Sequence, residues 1–401
     1  MKNIGIMTHC AATNYGANLQ ALSTANFLRN NGLNPVFFFW SDYLTVDDKA
    51  PQALIHQNFL KNQGFSVSNP CSENNDFLDV IDKYDIHDII VGSDCILTYH
   101  NKKRFPYILT RKGFIRIEES QDYQFPNPFW LPFIRKEDNI SLFMVSGSCG
   151  SSDIPKDEEI KQEMSKLLDR FSYISVRDSY TKKMVEKILG SSKKINLTPD
   201  PVFGFNYNRK DGTINHRTYL NEKFKLPNKY FVVSFYYQYW PSQAWADELM
   251  KYAHDKGISC VSIPMPLGKR KSNFDVDIDG PLDPLEWYDI IRYSEGYIGN
   301  NMHPMIVALH NSIPFFDFNI HGKFVFQKKI QMVSTSKEVD LLRRFNLQEY
   351  QIAQQRNFLV SPKNIIDKLI SFDREYCKQC ATSLQSDYLL MMNTILEGIF
   401  H

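Results

Sequence analysis

The sequence predicts an α/β protein of two Rossmann-like halves, each a parallel sheet wrapped by helices, facing one another across a cleft. Three observations carry this expectation. A chain of 401 residues is long for one hydrophobic core and suits two domains. Short apolar runs end at small or polar residues, as strands buried in parallel sheets do. Between them lie stretches with apolar residues at spacings of three and four, and the series starts afresh at Tyr230.

Residues Asn3 to Thr8 read as the first strand, and the loop Cys10 to Asn18 leads into Leu19-Gln20-Ala21-Leu22 and Phe27-Leu28 at helical spacing. That helix stops at Asn30-Asn31-Gly32, and Pro35 to Trp40 supplies a β-branched and aromatic strand. Parallel strands joined this way need a right-handed crossover. Further strands are expected over Asp88–Gly92, Ser141–Val145 and Tyr173–Val176, with helices over Ile160–Leu168 and Tyr180–Leu189. Pro199-Asp200-Pro201 then punctuates the chain, and the division falls between an N-terminal domain, 1–210, and a C-terminal domain, 211–401, that carries the C-terminal helices. The second series has strands at Tyr230–Tyr236, Ile258–Ile263, Tyr297–Gly299 and Pro314–Phe318, alternating with helices at Gln243–Lys256, Pro284–Tyr293 and Met305–His310. Tyr99 to Arg135 breaks the pattern as an aromatic and proline-rich insertion, expected to form an acceptor-side loop, with a packing or partner surface as the alternative.

Composition excludes several classes. With 46 basic and 45 acidic side chains the net charge is +1, so no overall field would hold a nucleic acid. Apolar residues at 43% and charged residues at 23% are a globular balance, which excludes wholesale disorder. Aromatics at 14% suit large cores and sugar-facing clefts alike. No apolar run approaches the roughly 18 to 20 residues that span a bilayer, and Met1 to Met7 lacks the apolar core of a signal peptide, so a cytoplasmic protein is expected. The seven cysteines are scattered, and reduced thiols are the expectation; Cys377 and Cys380 have a redox or zinc spacing, but no second pair follows.

Four loops at strand ends carry residues with useful chemistry. Asn14-Tyr15-Gly16-Ala17-Asn18-Leu19-Gln20 opens the first helix, where Gly16 permits close approach and Asn14, Asn18 and Gln20 can donate hydrogen bonds to phosphate or hydroxyl oxygens; an ordinary capped helix start reads equally from these residues. Gly92-Ser93-Asp94 offers a carboxylate for sugar hydroxyls, or a cap. Val176-Arg177-Asp178 offers a planar fork for carboxylate or phosphate, or a surface ion pair. Gly299-Asn300-Asn301-Met302-His303-Pro304 sets a histidine where an acid or base would stand, while His310 reads as packing and Lys323 offers an ammonium after the next strand.

Taken in order, these motifs resemble the polysaccharide pyruvyl transferase family. Asn14 to Ala17 with Gln20-Ala21, Gly92-Ser93-Asp94, Val176-Arg177-Asp178, Asp200-Pro201, and Met302-His303 before Pro314-Phe315 match its pattern over about residues 3 to 325. The resemblance implies two halves like those of GT-B glycosyltransferases, with phosphoenolpyruvate as co-substrate and neither metal nor other cofactor required. It implies a glycan or lipid-linked sugar acceptor in cell-surface or capsular polysaccharide biosynthesis, the lipid bringing the enzyme to the membrane periphery. By the same carry-over His303 is the catalytic histidine and Arg177 holds the donor's anionic groups; the mechanism expected from these residues makes protonated His303 the general acid, with Asp94 positioning or deprotonating the acceptor. Arg177, Lys323, Asn300 and Asn301 are expected to bind the donor, the C-terminal domain being the donor side, and Asn14, Tyr15, Gly16, Asn18 and Gln20 are expected to bind substrate. Where one branch has Arg two residues before the histidine this chain has Asn301, and where another has Gly after it this chain has Pro304. The alternatives are a nucleotide-sugar glycosyltransferase and a noncatalytic glycan-binding member.

Overall fold

A computed structural model describes residues 1–41, 50–100, 107–110, 113–116, 121–150, 152, 155–209, 216–236, 239–265, 271–320, 322–325, 329–332, 336–354 and 360–400, with side chains left undescribed at 107–110, 113–116, 122, 322–325 and 329–332. Among them the first half builds a seven-stranded parallel sheet in the order β3 (Ser66–Cys71), β2 (Asn34–Trp40), β1 (Asn3–Met7), β4 (Asp88–Asp94), β7 (Ser141–Gly147), β8 (Phe171–Val176), β9 (Asn196–Leu197). The second half builds a six-stranded parallel sheet ordered β12 (Val276–Asp277), β11 (Ser259–Ser262), β10 (Tyr230–Ser234), β13 (Gly296–Gly299), β14 (Phe315–Asn319), β17 (Gln351–Ala353). Two antiparallel hairpins stand apart, β5 (Tyr107–Thr110) with β6 (Gly113–Arg116), and β15 (Gly322–Val325) with β16 (Lys329–Met332).

Helices of the first half are α1 (Tyr15–Asn30), α2 (Pro51–Asn62), α3 (Asn74–Tyr84), α4 (Glu158–Asp169), α5 (Ser179–Leu189) and the short α6 (Phe205–Asn208). Those of the second are α7 (His216–Phe224), α8 (Gln243–His254), α9 (Pro284–Arg292), α10 (Met302–His310), α11 (Lys337–Arg344), α12 (Pro362–Ile370) and α13 (Arg374–Phe400). None of the described helices is long and apolar enough to cross a membrane. The chain is thus the expected pair of Rossmann-like halves.

Each sheet reverses its strand order once, between β1 and β4 in the first and between β10 and β13 in the second. Such switch points leave a crevice at the carboxyl ends of the strands, where open α/β sheets bind ligands. The strands are apolar on both faces because helices cover both: β4 and β10 are buried throughout.

The long helix α13 does not stay with the second half. Its Met391 sulfur accepts from the hydroxyls of Ser146 and Ser175, Phe143 packs against Gly398, and Lys2 Nζ donates to the Ile399 carbonyl at 2.7 Å, so it lies on the first sheet. Cys377 and Cys380 are separate buried thiols on this helix, and burial pushes the Cys377 thiol up to about 12. The later part of the aromatic insertion is core rather than loop: Phe129, Trp130 and Phe133 are buried, and Phe133 stacks on Phe77 at 4.8 Å. The reason is the large apolar area these rings remove from water. Residues 101–106, 111–112 and 117–120 of the insertion lie outside the described residues.

Candidate active site

The two switch points meet in one cleft of about 380 Å³. The first half contributes His9, Ala12 and Asn14 from the loop after β1, with Asp94 and Cys95 from the end of β4; the second contributes Tyr236, Asn300, Asn301, Met302, His303, Ile320, Lys337 and Glu338.

His303 lies in the first turn of α10, where Asn301 is the N-cap: its Oδ1 accepts from the His303 amide at 3.1 Å. The imidazole lies against Gly16 at the start of α1. A Cβ on Gly16 would stand 2.0 Å from His303 Cγ, so only glycine allows the two halves to close here. Gln20, one turn further along α1, donates through its amide nitrogen to Asp200 and holds that nitrogen 3.3 Å from His303 Nε2. A ring nitrogen that accepts from an amide carries no proton, so this contact suits a neutral imidazole. Burial acts in the same direction, lowering the pKa of His303 although Asp94 and Asp200 pull it up. Burial thus favours a neutral resting ring, suited to act as a base where the sequence reading expects a protonated acid.

Arg177 follows β8 and is buried, its side chain 1% exposed. Its fork is occupied, Nη2 donating to Asp94 at 2.7 Å and Nη1 to Asp200 at 3.0 Å. Burial opposes the charge, but Asp94, Cys95 and Asp200 outweigh it and hold the guanidinium protonated. Arg177 does not line the cleft: it joins Asp94 to Asp200, and through Gln20 to His303. Breaking a buried pair of this kind by removing one partner costs about 3–5 kcal/mol.

Asp94 ends β4 at a positive φ of 77°, after Gly92 at φ 116°, whose Cβ would meet the Val145 carbonyl oxygen at 2.2 Å. Burial pushes the Asp94 carboxyl up, yet Arg177, Lys337, His303 and His9 hold it well below the usual range. It is an ionised acceptor of hydrogen bonds and a weak base.

Of the expected substrate-binding residues only Asn14 lines the cleft, and its Oδ1 already caps α1 by accepting from Ala17 N at 3.2 Å. Tyr15 stacks on Trp287 at 5.0 Å, joining the halves. Asn18 is buried, donating to the Ala12 and Asn14 carbonyls. Polar groups in the first turns of a helix find backbone partners more readily than ligands, which is why these positions read two ways. Of the expected donor-binding residues, Asn301 is spent on its cap and on Tyr236 OH at 3.0 Å. Asn300 accepts from Tyr236 N at 3.0 Å but keeps a buried Nδ2 without a partner. Lys323 sits on β15, and its side chain lies outside the described set.

The sequence reading missed Lys337. It opens α11 after the N-cap Ser336, and its Nζ lies 3.7 Å from Cys95 Sγ. It is the one lysine or arginine among the described residues lining the cleft, and none of the described carboxylates lies within ion-pair distance of it. Burial and Arg177 oppose its charge; Cys95, Asp94 and Glu338 raise its pKa nonetheless. Its only sequence signal was the Ser336-Lys337-Glu338 helix start, which marks a cap and no chemistry.

Comparison with known proteins bears on this arrangement. A family model described as polysaccharide pyruvyl transferase matches residues 14–321. No curated protein matches the sequence. Among solved structures, a UDP-GlcNAc 2-epimerase from Neisseria meningitidis bound to UDP-GlcNAc is 10% identical, covering 99% of this chain and 100% of its own, at a TM-score of 0.55. Phytolacca americana UGT2, complexed with UDP-2-fluoro-glucose and pterostilbene, is 10% identical with both chains covered in full at 0.52. A glycosyltransferase from Rickettsia africae is 12% identical, covering 99% of this chain and 97% of its own, also at 0.52. At these identities the likeness is one of fold, the GT-B arrangement of two facing halves.

Proposed function

Because the chain belongs to the polysaccharide pyruvyl transferase family, we propose that it moves a pyruvyl group from phosphoenolpyruvate onto two hydroxyls of a glycan, leaving a ketal and inorganic phosphate. The observation that carries the reading is the cleft itself, which brings together His303 of one half, the ionised Asp94 of the other and the ammonium of Lys337.

The transfer balances as follows. A first hydroxyl oxygen bonds to the donor's central carbon, and the methylene carbon gains a proton and becomes methyl. A second hydroxyl oxygen then displaces phosphate, which departs with the remaining proton. His303 accepts the first hydroxyl proton and returns it to the methylene carbon. Doing so gives up its contact with Gln20, which at 3.3 Å is long and weak. The imidazolium formed in between is stabilised by Asp94 and Asp200, the charges that raise its pKa. Lys337 and the free amide of Asn300 bind the donor's carboxylate and phosphate beside the N-terminus of α10. Asp94 accepts from an acceptor hydroxyl.

The test is a mass-shift assay with phosphoenolpyruvate and a panel of lipid-linked glycans. The expected product carries one added pyruvyl group, absent with His303→Ala. Thermal stabilisation by a UDP-sugar and not by phosphoenolpyruvate would instead favour glycosyl transfer.

A further inference from the structure

Beside the cleft, on the other side of the same strand ends, lies a second pocket of about 240 Å³ lined by Phe235, Trp240, Pro241, Ser242, Trp245, Phe318 and Gln354. Adjacent residues link the two: Tyr236 lines the cleft and Phe235 the pocket, because successive side chains at a strand end point to opposite faces. We infer that this pocket is a glycan subsite that holds one neutral pyranose ring of the acceptor, next to the sugar that reacts.

Three features of the pocket select this ligand. Its walls are aromatic, with Trp240 and Trp245 partly exposed and set nearly edge-on to the buried Phe235 at 6.3 and 6.0 Å. Such rings offer flat apolar faces to the C–H face of a sugar. Two buried polar atoms are left without partners, Trp245 Nε1–H and Gln354 Oε1, and Gln354 is only 7% exposed. A donor and an acceptor left unpaired in one pocket are costly, and hydroxyls, which both donate and accept, satisfy the pair. Finally, none of the described residues that line the pocket is charged. Its volume is below the about 300–1,000 Å³ of sites for larger small molecules and fits a single ring.

The subsite rests on the reading of this protein as one that acts on a glycan, and its test reads binding rather than turnover, so failure of the pyruvyl-transfer reading leaves a separate result. The intact protein is titrated with methyl glycosides of glucose, galactose and mannose, with uridine in parallel, followed by saturation-transfer NMR and tryptophan fluorescence. At least one glycoside is expected to bind at millimolar strength. Trp245→Phe and Gln354→Leu each weaken it about threefold to tenfold, whereas Lys337→Ala leaves it unchanged. Because Gln354 Oε1 has no partner in the free protein, Gln354→Leu is expected not to lower the melting temperature, which separates a lost contact from a damaged fold. No binding of any glycoside, preference for uridine, or binding indifferent to both pocket variants would overturn the assignment.

Discussion

Gly16→Ala isolates the closing of the two halves on His303. The new Cβ would stand 2.0, 2.1 and 2.3 Å from Cγ, Cδ2 and Nδ1 of the imidazole. Ordinary carbon contacts are about 3.5–4.0 Å, so the ring has to retreat by about 1.5 Å. Displacing a reacting group by about 1 Å costs on the order of 100-fold in rate. We therefore expect kcat for pyruvyl transfer to fall at least about 100-fold, with a stability loss of about 1–3 kcal/mol from overpacking. The assay is steady-state phosphate release, alongside urea unfolding. Gly32→Ala is the matched control: Gly32 has φ 80° with nothing within 4 Å, so the added methyl strains the backbone without touching the site. It should lose stability and keep its kcat. If Gly16→Ala retained more than a tenth of the wild-type kcat while folded, His303 would not act from the position it occupies.

Other consequences follow from the same geometry. Lys337→Ala should raise the KM for phosphoenolpyruvate by about tenfold or more, with partial recovery in Lys337→Arg, because the cation's charge rather than its shape carries the contact; equal donor affinity in all three proteins would remove Lys337 from the donor site. Arg177→Met should destabilise the fold by about 3–5 kcal/mol in urea titrations, since Asp94 and Asp200 are left as uncompensated buried charges. Activity should be lost as pH falls through the lowered pKa of His303, giving kcat an acid limb with its midpoint below 6.5, a limb that His303→Gln abolishes along with most activity. His56 and His310 have folded pKa values lowered to about 4 and about 3, mainly by burial. Below pH 6.5 the unfolded chain binds protons that the folded one refuses, so stability measured by urea titration should decline steadily from pH 6.5 towards 4 and be flatter in His310→Gln. Asp317 runs the other way. Burial and Glu338 raise it to about 8, so the folded state holds a proton the unfolded one has lost. Stability falls as pH rises from about 4 to 8, and Asp317→Asn should be the more stable protein at pH 8.

The parallel strands and the helices between them were legible because burial on both faces writes itself as continuous apolar runs: β4, β7, β8, β10 and β13 all stand where such runs occur. Helix α13 was legible only as helix. That it returns to the first sheet depends on Met391, Gly398 and Ile399 finding partners far away in sequence, which no local pattern encodes. His303 could be found because it follows a strand end and opens a helix. Its protonation state could not, since that follows from burial between the two halves, set against the pull of Asp94 and Asp200. Tyr15, Asn18 and Phe129 have the chemistry of ligand contacts and the location of packing, and residue type alone does not separate the two.

Arg177 shows why the donor side was the hardest to read. A guanidinium fork fits a bound carboxylate and a protein carboxylate equally well, so an arginine at a strand end predicts an anion without saying whose. Here both anions are the protein's own, supplied from 83 and 23 residues away. With Arg177 occupied in this way, the cationic side chain among the described residues lining the cleft is that of Lys337. Position 301 cannot supply a positive charge without surrendering the cap of α10 and the tie to Tyr236 that Asn301 provides, worth about 1 kcal/mol for the cap alone. The cap also fixes the helix turn that carries His303, so an arginine there would gain charge at the expense of the base. Lys337 reaches the same cleft from the start of α11 and disturbs neither. Asn301 and Lys337 are in this sense one arrangement: the histidine is held by an amide, and the ammonium comes from the start of a different helix.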